Sequence, residues 1–267
     1  MVTSELIEHI SKRQLLSSRD IVDKVSEITG VKQENSYVYK KFTYPLLKKR
    51  YLHRVRKNLY HVTTPGHSDN IADRFTLASM IRKDYYIGFH AALEFYGVAY
   101  SYRNRVLIGV TPGDRFDVFS YQNTTYAPFL TKDIRTGVSV QTHLGSDVYV
   151  CSKERLFIEC IRYPDRVGGW EEALKSLQGL GGIDFDVLLD LLFLQDNQSL
   201  LRRVGLVLEL LRETSLFYEH LDDNLLERIK NRVMGDPRYL EKSESGELDS
   251  KWLLYVSPRF RQHLRGI

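Results

Sequence analysis

The sequence predicts an α+β protein in two parts: a small helical unit closed by a β-hairpin, then a larger mixed unit with a helical end. Three observations carry this. Short amphipathic helical patterns precede a two-stranded ribbon within the first 65 residues. The stretch from Lys32 to Lys57 holds nine Lys/Arg against the single acid Glu34. Strand-like runs after residue 100 then give way to helical periodicity from Lys153 onward. At 267 residues the chain can bury two cores. Its net charge of +4 is unevenly spread: residues 1–65 carry +7 and the remainder −3. A basic unit on a mildly acidic body points to a polyanionic partner for the first part.

Leu6, Ile7 and Ile10 lie on one side of a first helix, with Glu5, Glu8 and Lys12 opposite. Ser17 to Asp20 matches a capping box, in which a hydroxyl and an acid three residues on satisfy free N–H groups. Ile21, Val22, Val25 and Ile28 continue that second helix, and Gly30 stops it. A third helix is expected from Asn35 or Ser36 through Phe42, with a kink or a fresh turn at Pro45. Residues Tyr51 to Arg56 and Leu59 to Val62 alternate around Lys57-Asn58, where Asn tolerates the left-handed backbone of a tight hairpin. Three helices followed by a hairpin is the winged helix-turn-helix arrangement, whose third helix enters the major groove.

Thr64 to Ser68 reads as a linker, so the domains are expected at 1–65 and 70–267. Ile71, Phe75, Ala78 and Ile81 mark a helix, and Ala91 to Tyr96 another that stops at Gly97. Strands are expected at Val106 to Val110, Phe116 to Phe119, Val138 to Thr142 and Val148 to Val150. Helices follow through Leu156, Ala173, Leu191, Val204 and Leu211. Cys151 and Cys160, nine apart, match neither a redox pair nor a zinc knuckle, and read as reduced and buried. The N-terminus lacks a signal-peptide core, and the apolar run Val187 to Leu194 is too short to span a bilayer. A cytoplasmic protein without membrane partners is expected.

The charge pattern makes double-stranded DNA the expected partner. On the third helix Ser36, Tyr37, Lys40 and Lys41 are the candidates for reading bases. Arg54, Arg56 and Lys57 of the ribbon are candidates for holding phosphate, which gives affinity and salt dependence but no sequence choice, and Lys48, Lys49 and Arg50 are further DNA-binding candidates. No catalytic, metal or cofactor residue is assigned. Gly145-Ser146 opens like a nucleotidyltransferase motif but only Asp147 follows nearby, and Asp184-Phe185-Asp186 starts a helix, where acids suit the dipole. There is no Walker loop, GxSxG or HExxH. His90 reads as a packed or capping histidine, His143 has no partner at a useful spacing, and Gly168-Gly169 reads as a turn ahead of a helix that buries Trp170.

The ribbon Arg54-Val55-Arg56-Lys57-Asn58-Leu59-Tyr60 resembles the "RVRRGLY" signature of the AbiEi antitoxin family, the antitoxins of abortive-infection AbiE systems, with Asn58 in place of the usual Gly. Tyr86 to Leu93 with Tyr96-Gly97 is similar to that family's "yis..sAL..hG" stretch. Ser152 to Phe157 and Pro164 to Gly169 are similar to its "s.ertl.D....p...gG" region, with Glu159 close to the acidic position. The resemblance spans roughly residues 40–210. It implies a type IV toxin–antitoxin repressor that binds inverted repeats in its own promoter. Its second domain would counter a nucleotidyltransferase-like toxin without needing a stable complex. The rivals are a winged-helix regulator whose second domain senses a ligand or dimerises, and a nuclease or nucleotidyltransferase.

Overall fold

A computed structural model describes residues 2–63, 70–241 and 246–263. The expected linker at 64–68 lies outside the described residues. The N-terminal unit runs α1 (Val2–Ile10), β1 (Leu15–Ser17), α2 (Ser18–Thr29), α3 (Asn35–Val38), a π-helical turn (Tyr39–Thr43), α4 (Tyr44–Lys48), β2 (Leu52–Arg56) and β3 (Leu59–Val62). The three strands form an antiparallel sheet in the order β1-β3-β2.

Local chemistry sets these boundaries. The Ser17–Asp20 capping box is formed in both directions at the start of α2, and Gly30 ends that helix in the left-handed conformation at φ 67°. At Pro45 the expected fresh turn forms. Proline has no N–H and its ring crowds the carbonyl four residues back. The preceding turn widens, so that the Tyr44 N–H reaches the Tyr39 carbonyl, and α4 starts afresh with proline in its first turn. Strand β1 is too short to show a period. It is fixed by pairing, with Leu15 opposite His61 and Ser17 opposite Leu59.

The second unit contains α5 (Arg74–Ser79), β4 (Tyr86–Ile87), α6 (Phe89–Phe95), β5 (Arg105–Val110), β6 (Phe119–Tyr121), β7 (Thr124–Leu130), β8 (Val138–His143) and β9 (Ser146–Cys151). Helices α7 (Lys153–Arg162), α8 (Pro164–Val167), α9 (Trp170–Gln178), α10 (Phe185–Leu194), α11 (Gln198–Thr214) and α12 (Asp223–Lys230) follow. The chain finishes with β10 (Arg238–Tyr239), β11 (Glu247–Asp249), β12 (Leu254–Val256) and α13 (Pro258–Gln262). The main sheet is mixed, in the order β6-β7-β5-β4-β9-β8. The mixed α+β class and the helical second half follow the sequence expectation. The small terminal sheet β10-β12-β11 and strand β7 do not. Ile71 is 73% exposed and precedes α5, which starts instead from an Asp73 cap.

Strand β7 is disguised by Pro128. Its odd-numbered N–H groups turn toward β5, as Thr125 donates to Asn104 and Thr131 to Val110. The Pro128 nitrogen therefore faces the β6 side, and β6 ends opposite Tyr126. A proline is tolerated there because no ladder bond is lost.

The centre of the sheet holds a buried polar group. Tyr86 of β4 donates its hydroxyl to Glu159 Oε1 at 2.7 Å, and Arg155 Nε reaches the same oxygen at 2.9 Å. The Arg155 guanidinium lies 4.0 Å above the Tyr86 ring and also donates to the Thr136 and Asp133 carbonyls. Burial pushes the Glu159 carboxyl above its ordinary range, and Arg155 opposes that shift. A Cβ on Gly109 would fall inside the Tyr86 ring, and one on Gly88 would lie 2.7 Å from Glu159 Oε2. Gly109→Ala is therefore expected to destabilise the protein by about 3 kcal/mol, the upper end for overpacking. Urea unfolding measures it, and a loss within error of zero would contradict this packing.

Candidate nucleic-acid interface

The third helix is continuous from Asn35 to Lys48, with its π turn inside. Val38, Phe42 and Leu46 are buried against α1, α2 and the sheet. That spacing leaves Ser36, Tyr37, Lys40, Lys41, Tyr44 and Lys48 exposed along the other side. Lys41 Nζ donates to the Tyr37 hydroxyl at 2.7 Å and sits over that ring, while Lys48 sits over Tyr44. Tyr37, 42% exposed, is thus a surface residue set between Lys41 and the edge of the Phe42 ring. Lys49 and Arg50 are exposed at the exit of the helix, where Arg50 takes φ 59° to turn the chain into β2.

The ribbon divides. Strict alternation places Arg54 and Arg56 on one face, but a bulge between them shifts the register, with Arg54 opposite Tyr60 and Arg56 opposite Leu59. Arg54 and Lys57 remain exposed. Arg56 turns to the second unit, where its guanidinium lies 4.9 Å from the Phe119 ring centre and 5.7 Å from that of Phe116. Burial, with the nearby Arg82 charge, lowers its pKa. The structure therefore separates Arg56 from the other expected phosphate-holding residues.

The reason is that both faces of the N-terminal sheet are covered. Leu16, Leu52, Tyr60 and Val62 pack on the helices of their own unit, whereas Leu15 and Leu59 join the core of the second. His61, fully buried, shares a 2.9 Å hydrogen bond between Nδ1 and the Tyr121 hydroxyl. Two glutamines complete the junction. Gln14 bonds Ile71 O and Asp73 N, and Gln122 bonds Asn70 O and Ala72 N. These residues were missed in sequence because a lone glutamine carries no signature until its partner strand is known.

The other residues singled out resolve structurally. His143 Nε2 lies 3.0 Å from Asp73 Oδ2, and its ring packs against Phe75 and Phe95. Asp73 Oδ1 caps α5 through the N–H groups of Phe75 and Thr76, and these bonds with His143 outweigh burial to hold its carboxyl below the ordinary range. Asp184 caps α10, and Asp186 pairs with Arg228 at 2.7 Å. Gly168 and Gly169 take φ 126° and 100° before α9, which buries Trp170. Cys151 and Cys160 are buried and unpaired. Among the described residues no three His, Cys, Asp or Glu gather as for a metal, and no helix is long and apolar enough to cross a membrane.

No family model and no curated protein matches the sequence. The fold is similar to that of the crystal structure of the RV2827C protein from Mycobacterium tuberculosis, with a TM-score of 0.67 at 14% identity, over 99% of this chain and 94% of that one. At that identity the likeness is one of fold.

The junction generates a pH prediction. Burial, with the neighbouring His53 charge, lowers the His61 pKa below its ordinary 6.5, and its Nε2 is buried without a partner. The folded state therefore binds fewer protons than the unfolded chain. The corresponding stability is present above pH 6.5 and is lost as pH falls from there through the folded pKa. The urea midpoint is expected to drop between about pH 7.5 and pH 5.5, and His61→Gln should flatten that dependence. An unchanged slope in the variant would remove His61 as its source.

Proposed function

We propose that this protein is a DNA-binding transcriptional autorepressor and antitoxin, as the resemblance to AbiEi antitoxins implies. One observation carries the DNA-binding part: the exposed basic and aromatic face of the third helix, continuous from Ser36 to Lys48 and flanked by exposed Arg54 and Lys57 of the ribbon. The element order, with the β1-β3-β2 sheet behind the helix, supports reading residues 1–65 as a winged helix-turn-helix. Ser36, Tyr37, Lys40 and Lys41 would face base edges in the major groove. Lys48, Lys49, Arg50, Arg54 and Lys57 would hold phosphate on either side. Arg56 would act indirectly, by fixing the ribbon to the second unit. The partner DNA is an inverted repeat in the protein's own promoter, occupied by two copies. Residues 70–267 would counter a nucleotidyltransferase-like toxin, with no catalytic group, metal or cofactor of their own.

Salt dependence tests the first part. Arg54→Ala combined with Lys57→Ala is expected to weaken binding to all duplexes alike and to flatten the slope of log K against log salt by about two units. Arg56→Ala should leave that slope within about half a unit of the parent and instead lower the urea midpoint. Equal slope changes in the two proteins would sink the division of the ribbon. Co-expression tests the second part: the full chain should restore growth to cells expressing the product of the adjacent gene. Failure to do so, with DNA binding intact, would leave a repressor without antitoxin activity.

A further inference from the structure

A cavity of about 290 Å³ opens between α6, β5 and α8, on the second unit, lined by His90, Ala91, Arg103, Arg105, Leu107, Asp165 and Arg166. Its floor is His90, only 3% exposed. The ring lies between two carboxylates, Nδ1 3.2 Å from Glu94 Oε1 and Nε2 3.3 Å from Glu172 Oε1, yet neither nitrogen is aligned to hydrogen-bond with them.

Both carboxylates are occupied elsewhere. Glu94 pairs with Arg74 at 2.5 Å and accepts the Arg103 N–H at 2.9 Å. Glu172 accepts the N–H groups of Tyr100 and Ser101 and the hydroxyls of Ser101 and Ser176. Arg74 in turn donates to the carbonyls of Arg103 and Arg105. This ion-pair network fixes the backbone from Tyr100 to Arg105, and with it the roots of two arginines at the mouth of the cavity.

The mouth carries more cations than acids. Arg103, Arg105 and Arg166 are exposed there with Asp165, while beneath them Arg74 is paired with Glu94 and Glu172 lies beside His90. Among the described residues the only side-chain hydrogen bond of Arg103 is a long one, 3.4 Å, to the Gly168 carbonyl, and neither Arg105 nor Arg166 has a side-chain partner. These three exposed guanidinium groups line one opening, where an anion can accept hydrogen bonds from them. Guanidinium forks match phosphate oxygens bidentately. The volume is near the lower bound of small-molecule sites, too small for a nucleic-acid strand but adequate for a phosphate with a small body.

We propose that this cavity binds the phosphate end of a small phosphorylated metabolite, with Arg103, Arg105 and Arg166 clamping the phosphate oxygens above His90. The site is separate from the basic helix and ribbon and does not depend on the DNA-binding reading.

Calorimetric titration of the full chain with inorganic pyrophosphate, at fixed ionic strength, tests it. Saturable binding at one site is expected, with Kd below about 1 mM. Arg105→Gln and Arg166→Gln, which alter exposed side chains and should keep the parent circular dichroism, are each expected to weaken binding at least about tenfold. Arg54→Gln with Lys57→Gln, on the ribbon, should leave it unchanged. The absence of saturation would overturn the proposal, as would binding that survives both cavity variants or is lost only in the ribbon variant.

Discussion

The buried carboxylate of Glu159 is the constraint on which the body of the protein turns. It receives the Tyr86 hydroxyl from the central strand and the Arg155 guanidinium from one turn earlier on α7. The start of α6 beside it has a costly backbone, since Phe89 sits at φ 56° with no glycine to ease it. Its ring is fully buried beside Phe129 and Tyr163, which offsets that strain. A charge taken out of water is tolerated only when paired and hydrogen-bonded, and breaking such a pair typically costs about 3–5 kcal/mol. Two glycines make the approach possible, Gly109 beneath the Tyr86 ring and Gly88 beside the carboxylate. The position of α6, and therefore of His90 one residue further on, follows from this cluster.

A second constraint joins the two units. The three-stranded sheet of the N-terminal unit is a shared wall, with Leu16 and Tyr60 on one side and Leu15 and Leu59 on the other. Adjacent residues on one short strand thus serve different cores, because side chains alternate across a strand. That arrangement explains why β3 is buried at every residue although it belongs to a ribbon that sequence alone places on the surface.

Much of the N-terminal unit was legible in the sequence. The capping box, Gly30 and the Lys57-Asn58 turn are local devices, readable because their chemistry acts over three or four residues. What was illegible depends on partners far along the chain. Strands β1 and β4, three and two residues long, exist only by pairing. Pro128 reads as a strand breaker until the end of β6 is known. Glu159 was visible only as an acid near a motif, with nothing to show that Tyr86, 73 residues away, would meet it. At the candidate interface the exposed face of the third helix followed from its apolar spacing. The inward turn of Arg56 did not, since a bulge has no sequence mark in a run of alternating residues.

Gln14 and Gln122 hold the same short stretch, residues 70–73, from opposite sides, one from each unit. With Arg56 over Phe119 and His61 on Tyr121, the crossing from one unit to the other is gripped at several points. The basic helix and the body then behave as the blade and handle of one tool. On an inverted repeat, two such copies would carry their bodies at a separation dictated by the distance between half-sites. The DNA would act as the ruler that decides whether neighbouring bodies meet.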